Sequence, residues 1–327
     1  MFPWPRIVLA PLAGGPSTPP LAAAVSNAGG LGFLAAGYLA ANELSARLAQ
    51  ARALTGGPLG VNVFVLEETP VDHEALAAYA RELEPEAASL GVELGDPRFD
   101  DDELAAKLEA AAGIDVLSTT FGCLNAETIA RLHASGTSVW ATVTSAADAR
   151  AARDAGVAAL VVQGAEAGGH SGAWSDTSEP ALPLLALLAD LRATVELPLV
   201  ATGGIADRSA VVAALDAGAA AVQAGSAFLL TPEAGTSEPH RRALAAGGDT
   251  AVTRAFTGRR ARGIMNAFMR AHPDAPSAYP HVHHLTAPLR AAARAAGDEQ
   301  RINLWAGTNY MRAENRPAAE IVARLRA

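Results

Sequence analysis

Residues 199–230 read LVATGGIADRSAVVAALDAGAAAVQAGSAFLL. Two short apolar runs, Leu199–Thr202 and Ala221–Ala224, enclose one helical stretch, Ser209–Ala217, which exits at Gly218. Gly203 and Gly204 follow the first run and Gly225 the second. Runs that are apolar at nearly every position suit strands buried on both faces, as in parallel sheets covered by helices. The stretch therefore reads as strand, helix, parallel strand, with bare backbone at both strand ends.

The same alternation extends upstream. Strand-type runs stand at Ile7–Leu12, Gly32–Ala35, Leu59–Val65, Asp115–Thr119, Val139–Val143 and Ala159–Gln163. Between them lie helical stretches at Pro20–Ala28, Ala41–Leu54, His73–Glu84, Ala126–Ser135, Ala146–Ala155 and Leu182–Thr194, rich in Ala, Leu and Arg. Gly29, Gly136 and Gly156 sit where helix exits favour a left-handed residue. An open doubly wound sheet is the competing fold, but its GxGxxG fingerprint is missing after the first strand, which runs into APLAGGPSTPP. The pattern predicts an α/β fold, a TIM-type (β/α)8 barrel over residues 1–230 that closes near Phe228. Residues 231–327 contain helical patterns broken by Pro273, Pro276, Pro280 and Pro288, and little strand character. They are expected to form a helical segment packed on the barrel as part of the same unit.

Composition narrows the chemistry. The 327 residues are 50% hydrophobic, enough for a large core. Asp and Glu number 34 against 25 Lys and Arg, and a net charge of −9 argues against a nucleic-acid partner. Cys123 is the only cysteine, which excludes an intrachain disulfide, a Cys-based zinc site and a four-thiolate iron–sulfur cluster. Lys107 is the only lysine, and its helical context, DDDELAAKLEAA, predicts an exposed side chain, so Schiff-base chemistry is set aside. No run reaches the 18 or more apolar residues of a membrane span, and no basic segment precedes the apolar start. A cytoplasmic protein without a membrane partner is expected, and the sequence implies no particular oligomeric state.

In a parallel barrel the active site gathers at the C-terminal strand ends. There, Gly203, Gly204 and Gly225 expose amide N–H groups suited to an anion, and Ser226 adds a hydroxyl, so this corner is expected to bind phosphate. Asn62, Gln163 and Gln223 place carboxamides in apolar strands, where they either satisfy nearby backbone or face a ligand edge bearing carbonyls and ring nitrogens. After the run ending at Gln163 comes QGAEAGGHSG, residues 163–172: Gly168 and Gly169 give a loop able to lie against a flat ligand, and His170 then projects into the site as a proton-transfer or anion-binding group. Glu166 is expected to orient the loop or cap a helix. His281, His283 and His284 in PHVHH are read as packing rather than as metal ligands, and Cys123 as an inert thiol. Arg254, Arg259, Arg260 and Arg262 are expected to pair mostly with surface acids. No metal site is expected.

The opening IVLAPLAGGPSTPPLAAAVSNAGGLGFLAAGY resembles that of class I nitronate monooxygenases, once called 2-nitropropane dioxygenases. The likeness continues through LGVNVF, ATVTSAADARAARDAGVAALVVQGAEAGGHSG, LVATGGIAD, AVQAGSAFLLTPEAG, TRAFTGRRARGIMNAF and LWAGTN, in order and over nearly the whole chain. EAGGH and ATGGIAD are shared with flavin-dependent enoyl-acyl-carrier-protein reductases. The resemblance implies an FMN barrel that oxidises alkyl nitronates such as propionate 3-nitronate with O2, giving a carbonyl compound and nitrite. It implies that Asn62, Gln163, Gly168, Gly204 and the run Gln223, Ala224, Gly225, Ser226 hold FMN, with Gly169 and Gly203 beside them. Ala10, Pro11 and Leu12 would lie against the flavin ring, and His170 would be the catalytic histidine. As catalyst it would donate to the nitro oxygens of a nitronate, or act as base if neutral nitroalkanes are used. Leu12 stands where methionine is expected, Ser226 where threonine is common and Thr308 where glutamine is frequent. An NAD(P)H-dependent FMN reductase on the same barrel and a non-catalytic flavin-binding protein are the alternatives.

Overall fold

The computed structural model describes residues 3–176 and 182–326. Its strands are β1 (Ile7–Leu9), β2 (Gly32–Ala35), β3 (Leu59–Phe64), β4 (Val116–Thr120), β5 (Ser138–Val143), β6 (Ala159–Gln163), β7 (Gly169–His170), β8 (Leu199–Thr202), β9 (Ala221–Ala224), β10 (Thr250–Thr253) and β11 (Ala261–Ile264). The helices between them are α1 (Pro19–Asn27), α2 (Ala41–Leu54), α3 (His73–Ser89), α4 (Leu104–Ala110), α5 (Ala126–Ala134), α6 (Ala146–Ala155), α7 (Leu184–Thr194) and α8 (Arg208–Asp216). After the barrel come α9 (Glu238–Ala246), α10 (Ala267–Ala271), α11 (His281–Ala295) and α12 (Ala318–Leu325). Among the described residues, no helix is long and apolar enough to cross a membrane.

Eight strands pair in the order β1-β9-β8-β6-β5-β4-β3-β2, all parallel. The ring closes where Leu9 N–H donates to Leu31 O at 2.9 Å and Leu31 N–H to Ile7 O at 3.0 Å. This is the expected TIM barrel. Five of the eight helices α1–α8 begin where a side chain satisfies a first-turn amide: Thr18, Asp72, Asn125, Ser145 and Asp207 each accept from the backbone N–H three residues on.

Strand alternation sorts the side chains. Val61, Val63, Leu160, Val162, Ala201 and Val222 face the helices. Val8, Phe33, Val116, Trp140, Val161 and Val200 fill the lower lumen. Towards the C-terminal ends the inward positions turn polar: Asn62 stands in register with Ser118, and Gln163, Thr202 and Gln223 lie side by side. Gly60 makes the lower packing possible, since a Cβ there would come within 2.4 Å of the Phe33 ring, which itself lies 6.0 Å from Trp140.

The segment after residue 230 departs from its helical expectation. β10 and β11 form an antiparallel hairpin, and β11 pairs with β7 so that Ala261 faces His170 and Arg262 faces Gly169. Strands of four residues reading TAVT and ARGI carry too little apolar signal to read; their partner across the barrel mouth selects them. α3 and α11 also continue through Pro85 and Pro288. A proline inside a helix costs about 3 kcal/mol, and both helices offset it by burying one face in a shared cluster of Leu76, Leu83, Phe256, Phe268, Leu285 and Leu289. α12 buries Ala318, Ile321, Val322 and Leu325 in the same core as the barrel helices.

Gly60→Ala should overpack the lumen against Phe33 and cost about 1–3 kcal/mol in urea unfolding. Adding Phe33→Leu should recover part of that loss, giving a coupled rather than additive pair.

Candidate active site

A cavity of about 360 Å³ opens at the C-terminal strand ends. Its walls include Ala10, Pro11 and Leu12 after β1, the loop Gly168, Gly169 and His170, the glycines Gly203, Gly204 and Gly225, and Ser226. All three carboxamides, Asn62, Gln163 and Gln223, line it as well. Ala224 does not: alternation after the inward Gln223 turns its methyl to the helix-facing core, and its carbonyl accepts from Ala10 N–H at 2.8 Å.

The carboxamides differ in how they are satisfied. Asn62 Nδ2 donates to Ser118 Oγ at 2.9 Å and Thr120 Oγ1 at 3.0 Å. Gln163 binds its own loop, donating from Nε2 to His170 O at 3.1 Å and accepting Gly172 N–H on Oε1 at 2.6 Å. Gln223 is 4% exposed, and its Nε2 has no partner among the described residues.

Residues 305–309 fold over this corner. Gly307 N–H donates to Ser226 Oγ at 2.9 Å, Thr308 N–H to Glu166 O at 3.0 Å and Asn309 Nδ2 to Gly204 O at 2.8 Å. Gly168 allows the approach, because a Cβ there would lie 2.4 Å from Ala306 C and Gly307 N. Thr308 itself is exposed and does not line the cavity. The Glu166 carboxylate caps α7, accepting Leu184 N–H at 3.0 and 3.2 Å.

His170 Nε2 lies 2.9 Å from Thr257 Oγ1, and the ring sits within 6 Å, centroid to centroid, of Phe121, Tyr279 and Trp305. Burial pushes its pKa down to about 3, and the Arg259 and Arg290 guanidinium groups add to the effect. The imidazole is therefore neutral near neutral pH. Arg259 is not the surface arginine expected: it is buried, stands 4.1 Å over the Phe121 ring and donates to Ala173 O. The turn before β11 carries it inward, where ring stacking replaces a carboxylate. Arg254 and Arg260 do pair with an acid, both with Asp176 at 2.6 and 3.3 Å, while Arg262 donates to Ala165 O and Thr250 Oγ1.

Tyr38 and Phe121, both cavity-lining, hold left-handed backbone at φ +69° and +74°. Tyr38 N–H donates to Asp102 Oδ1 at 3.0 Å, and Asp102 Oδ2 is 2.7 Å from Lys107 Nζ. Lys107 is thus 1% exposed rather than solvated, because the left-handed turn Asp102–Glu103 brings the carboxylate beneath its helix. Two of the three histidines make side-chain contacts: His283 stacks on Tyr38 at 4.2 Å, and His284 pairs with Asp100 at 2.7 Å. No cluster of three or more His, Cys, Asp and Glu suited to a metal occurs among the described residues. Burial pushes the Cys123 thiol up to about 11.

A further part of the wall comes from the appended segment and was not read from sequence. Ser237, His240, Arg294 and Asn303 line the cavity. His240 Nε2 and Asn303 Oδ1 are buried without partners, and Arg294 makes no ion pair among the described residues. Burial lowers the Arg294 pKa. Only folding brings these four together, so no local spacing announces them.

Gln163→Ala should release the loop from both sides. Amide exchange at residues 168–172 should accelerate about 10-fold or more, the equivalent of losing a buried hydrogen bond worth about 1–3 kcal/mol. The barrel strands should keep their protection in the same exchange experiment.

A family model for nitronate monooxygenase matches residues 2–327. A nitronate monooxygenase of Paraburkholderia phytofirmans is 38% identical over 334 residues, covering 98% of this chain and 90% of that protein. The nitroalkane oxidase of Streptomyces ansochromogenes superposes with a TM-score of 0.95 at 48% identity, over 98% of this chain and 94% of that one. FabK from Thermotoga maritima superposes at 0.76 with 24% identity over 98% and 91%, a likeness of fold. The chain belongs to the nitronate monooxygenase family.

Proposed function

We propose that this chain uses bound FMN to oxidise alkyl nitronates with O2, forming a carbonyl compound and nitrite. The observation that carries the reading is a single strand-end cavity shared by the neutral His170 and the unpartnered Gln223 Nε2. A buried donor with no acceptor costs about 1–3 kcal/mol, and a flavin pyrimidine carbonyl is the acceptor this donor lacks. Gly14 and Gly169 support the fit, since a Cβ at either would stand in open space along the cavity wall. Gly203, Gly204, Gly225 and Ser226 would hold the phosphate, and Ala10–Leu12, Asn62 and Gln163 would flank the ring. When bound, FMN supplies the electron acceptance and the reaction with O2.

The protein's own part is to bind and exclude. A nitronate is already an anion, so no strong base is needed to prepare it. Phe121, Tyr279 and Trp305 keep water from the reacting carbon. Arg294, a half-buried cation on the cavity wall without an acid partner among the described residues, suits a substrate carrying a second anionic group, as propionate 3-nitronate does. A lone free cysteine accords with a cytoplasmic setting.

Anaerobic mixing separates the readings: propionate 3-nitronate should bleach the flavin absorbance and NADH should not. Bleaching by NADH alone would make the chain a reductase, and bleaching by neither a flavin carrier. His170→Asn should lower kcat/KM on neutral nitroethane, which must lose a proton, about 100-fold or more with flavin content unchanged. Arg294→Met should raise KM for propionate 3-nitronate about 10-fold, and for ethyl nitronate much less.

A further inference from the structure

The hydrogen-bond direction at His170 has a consequence for which protons the site can move. Thr257 is 2% exposed, and its hydroxyl has one hydrogen and two neighbours: Arg259 O at 3.3 Å and His170 Nε2 at 2.9 Å. Among the described residues, no other donor reaches the Arg259 carbonyl. Thr257 therefore donates to that carbonyl and offers His170 only a lone pair. An oxygen lone pair needs a hydrogen on the facing nitrogen, so Nε2 carries the ring proton. The reverse arrangement would leave the Arg259 carbonyl without a donor.

Both partners are fixed in place. Thr257 sits in a turn held by Thr257 N–H and Gly258 N–H on Arg254 O, at 3.1 and 2.7 Å. Gly258 is left-handed there, at φ +77°, and a Cβ on it would lie 2.7 Å from Ala278 backbone. His170 is held by its pairing with Ala261 and by Gln163 on its carbonyl.

We propose that Thr257 is a positioning residue that locks the His170 proton on Nε2, leaving Nδ1 as a bare nitrogen that takes the α-proton of a neutral nitroalkane. In that step the C–H bond breaks, its proton passes to Nδ1, and the electron pair delocalises into the nitro group. The product is the nitronate, so the inference rests on the nitronate reading above and deepens it. It also changes the expected part of His170, because the ring N–H engaged by Thr257 is not free to donate to nitro oxygens. Burial and the flanking guanidinium charges keep the ring neutral before this step and oppose the imidazolium it forms, a charge that the nitronate anion made beside it offsets.

The test compares nitroethane, which must lose a proton, with preformed ethyl nitronate, which has lost it. Thr257→Val keeps the shape and removes the hydroxyl; it should lower kcat/KM on nitroethane about 10- to 100-fold and change ethyl nitronate turnover by about threefold at most. Thr257→Ser should restore nitroethane turnover. Equal losses on both substrates, or none on either, would overturn the proposal. So would a wild-type enzyme active on ethyl nitronate and inert on nitroethane, which leaves the nitronate reading standing. Wild type inert on both would instead remove that reading. Long-range proton–nitrogen NMR of wild-type His170 gives an answer independent of turnover and of how the variants fold: protonated Nε2 is expected, and protonated Nδ1 would sink the idea.

Discussion

In a closed parallel barrel, each strand side chain points either to the helices or into the lumen, and the lumen narrows to a packed layer below and opens above. That constraint organises everything else in this structure. Below, Phe33 and Trp140 leave so little space that β3 carries glycine at position 60. Above, the same alternation turns Asn62, Gln163, Thr202 and Gln223 inward where there is room for a ligand. Polar side chains there cost little if a ligand or neighbour meets them, and would be expensive one layer down. The site is thus a product of register: a slip by one residue would send these groups into the helix layer and bring Val162, Ala201 and Val222 inward.

The barrel was legible because its signal is local. Strand candidates at Gly32–Ala35, Ala159–Gln163, Leu199–Thr202 and Ala221–Ala224 match the observed β2, β6, β8 and β9 in both bounds. Gly29, Gly136, Gly156 and Gly218 all adopt the left-handed backbone their helix-exit positions suggested. The strand-end residues followed from the fold, since a parallel barrel has one productive end. Within the run Gln223–Ser226, the Ala224 side chain turns away from the cavity, because consecutive strand residues alternate between faces. The histidine side of the site was less legible. Thr257, Arg259 and Arg294 reach it from the appended segment, and Lys107 is buried by a left-handed turn that no propensity predicts. Contacts spanning 87 residues, as from His170 to Thr257, leave no trace in a window of sequence.

The two parts of the chain also contribute differently. The barrel offers backbone amides and carboxamides, groups suited to an aromatic ring and a phosphate because they do not change charge. The appended segment places β11 beside His170, Thr257 on its ring and Trp305 against its face. Strained backbone gathers on this side: Tyr38 and Phe121 are left-handed, and the buried Lys107–Asp102 pair holds the first of them. Non-glycine residues in that region cost of order 1–3 kcal/mol each, and a buried ion pair adds specificity of geometry rather than net stability. The strain is located where a wall of the cavity has to be shaped.

The scarcity of lysine acquires a physical meaning at this site. The cations near His170 are Arg259 and Arg290, both buried. A buried ammonium readily loses its proton and would add a second base to the cavity; guanidinium does not. Arginine can also lie flat on an aromatic face, as Arg259 does on Phe121, and so remain charged without a carboxylate beside it. A carboxylate closer than Asp176, which already raises the His170 pKa in part, would pull the imidazole further back towards its protonated form. Burial first, and the two guanidinium charges after it, hold His170 neutral against the opposing Asp176 carboxylate, and a neutral ring with its proton committed to Thr257 has a single nitrogen with which to act on a substrate.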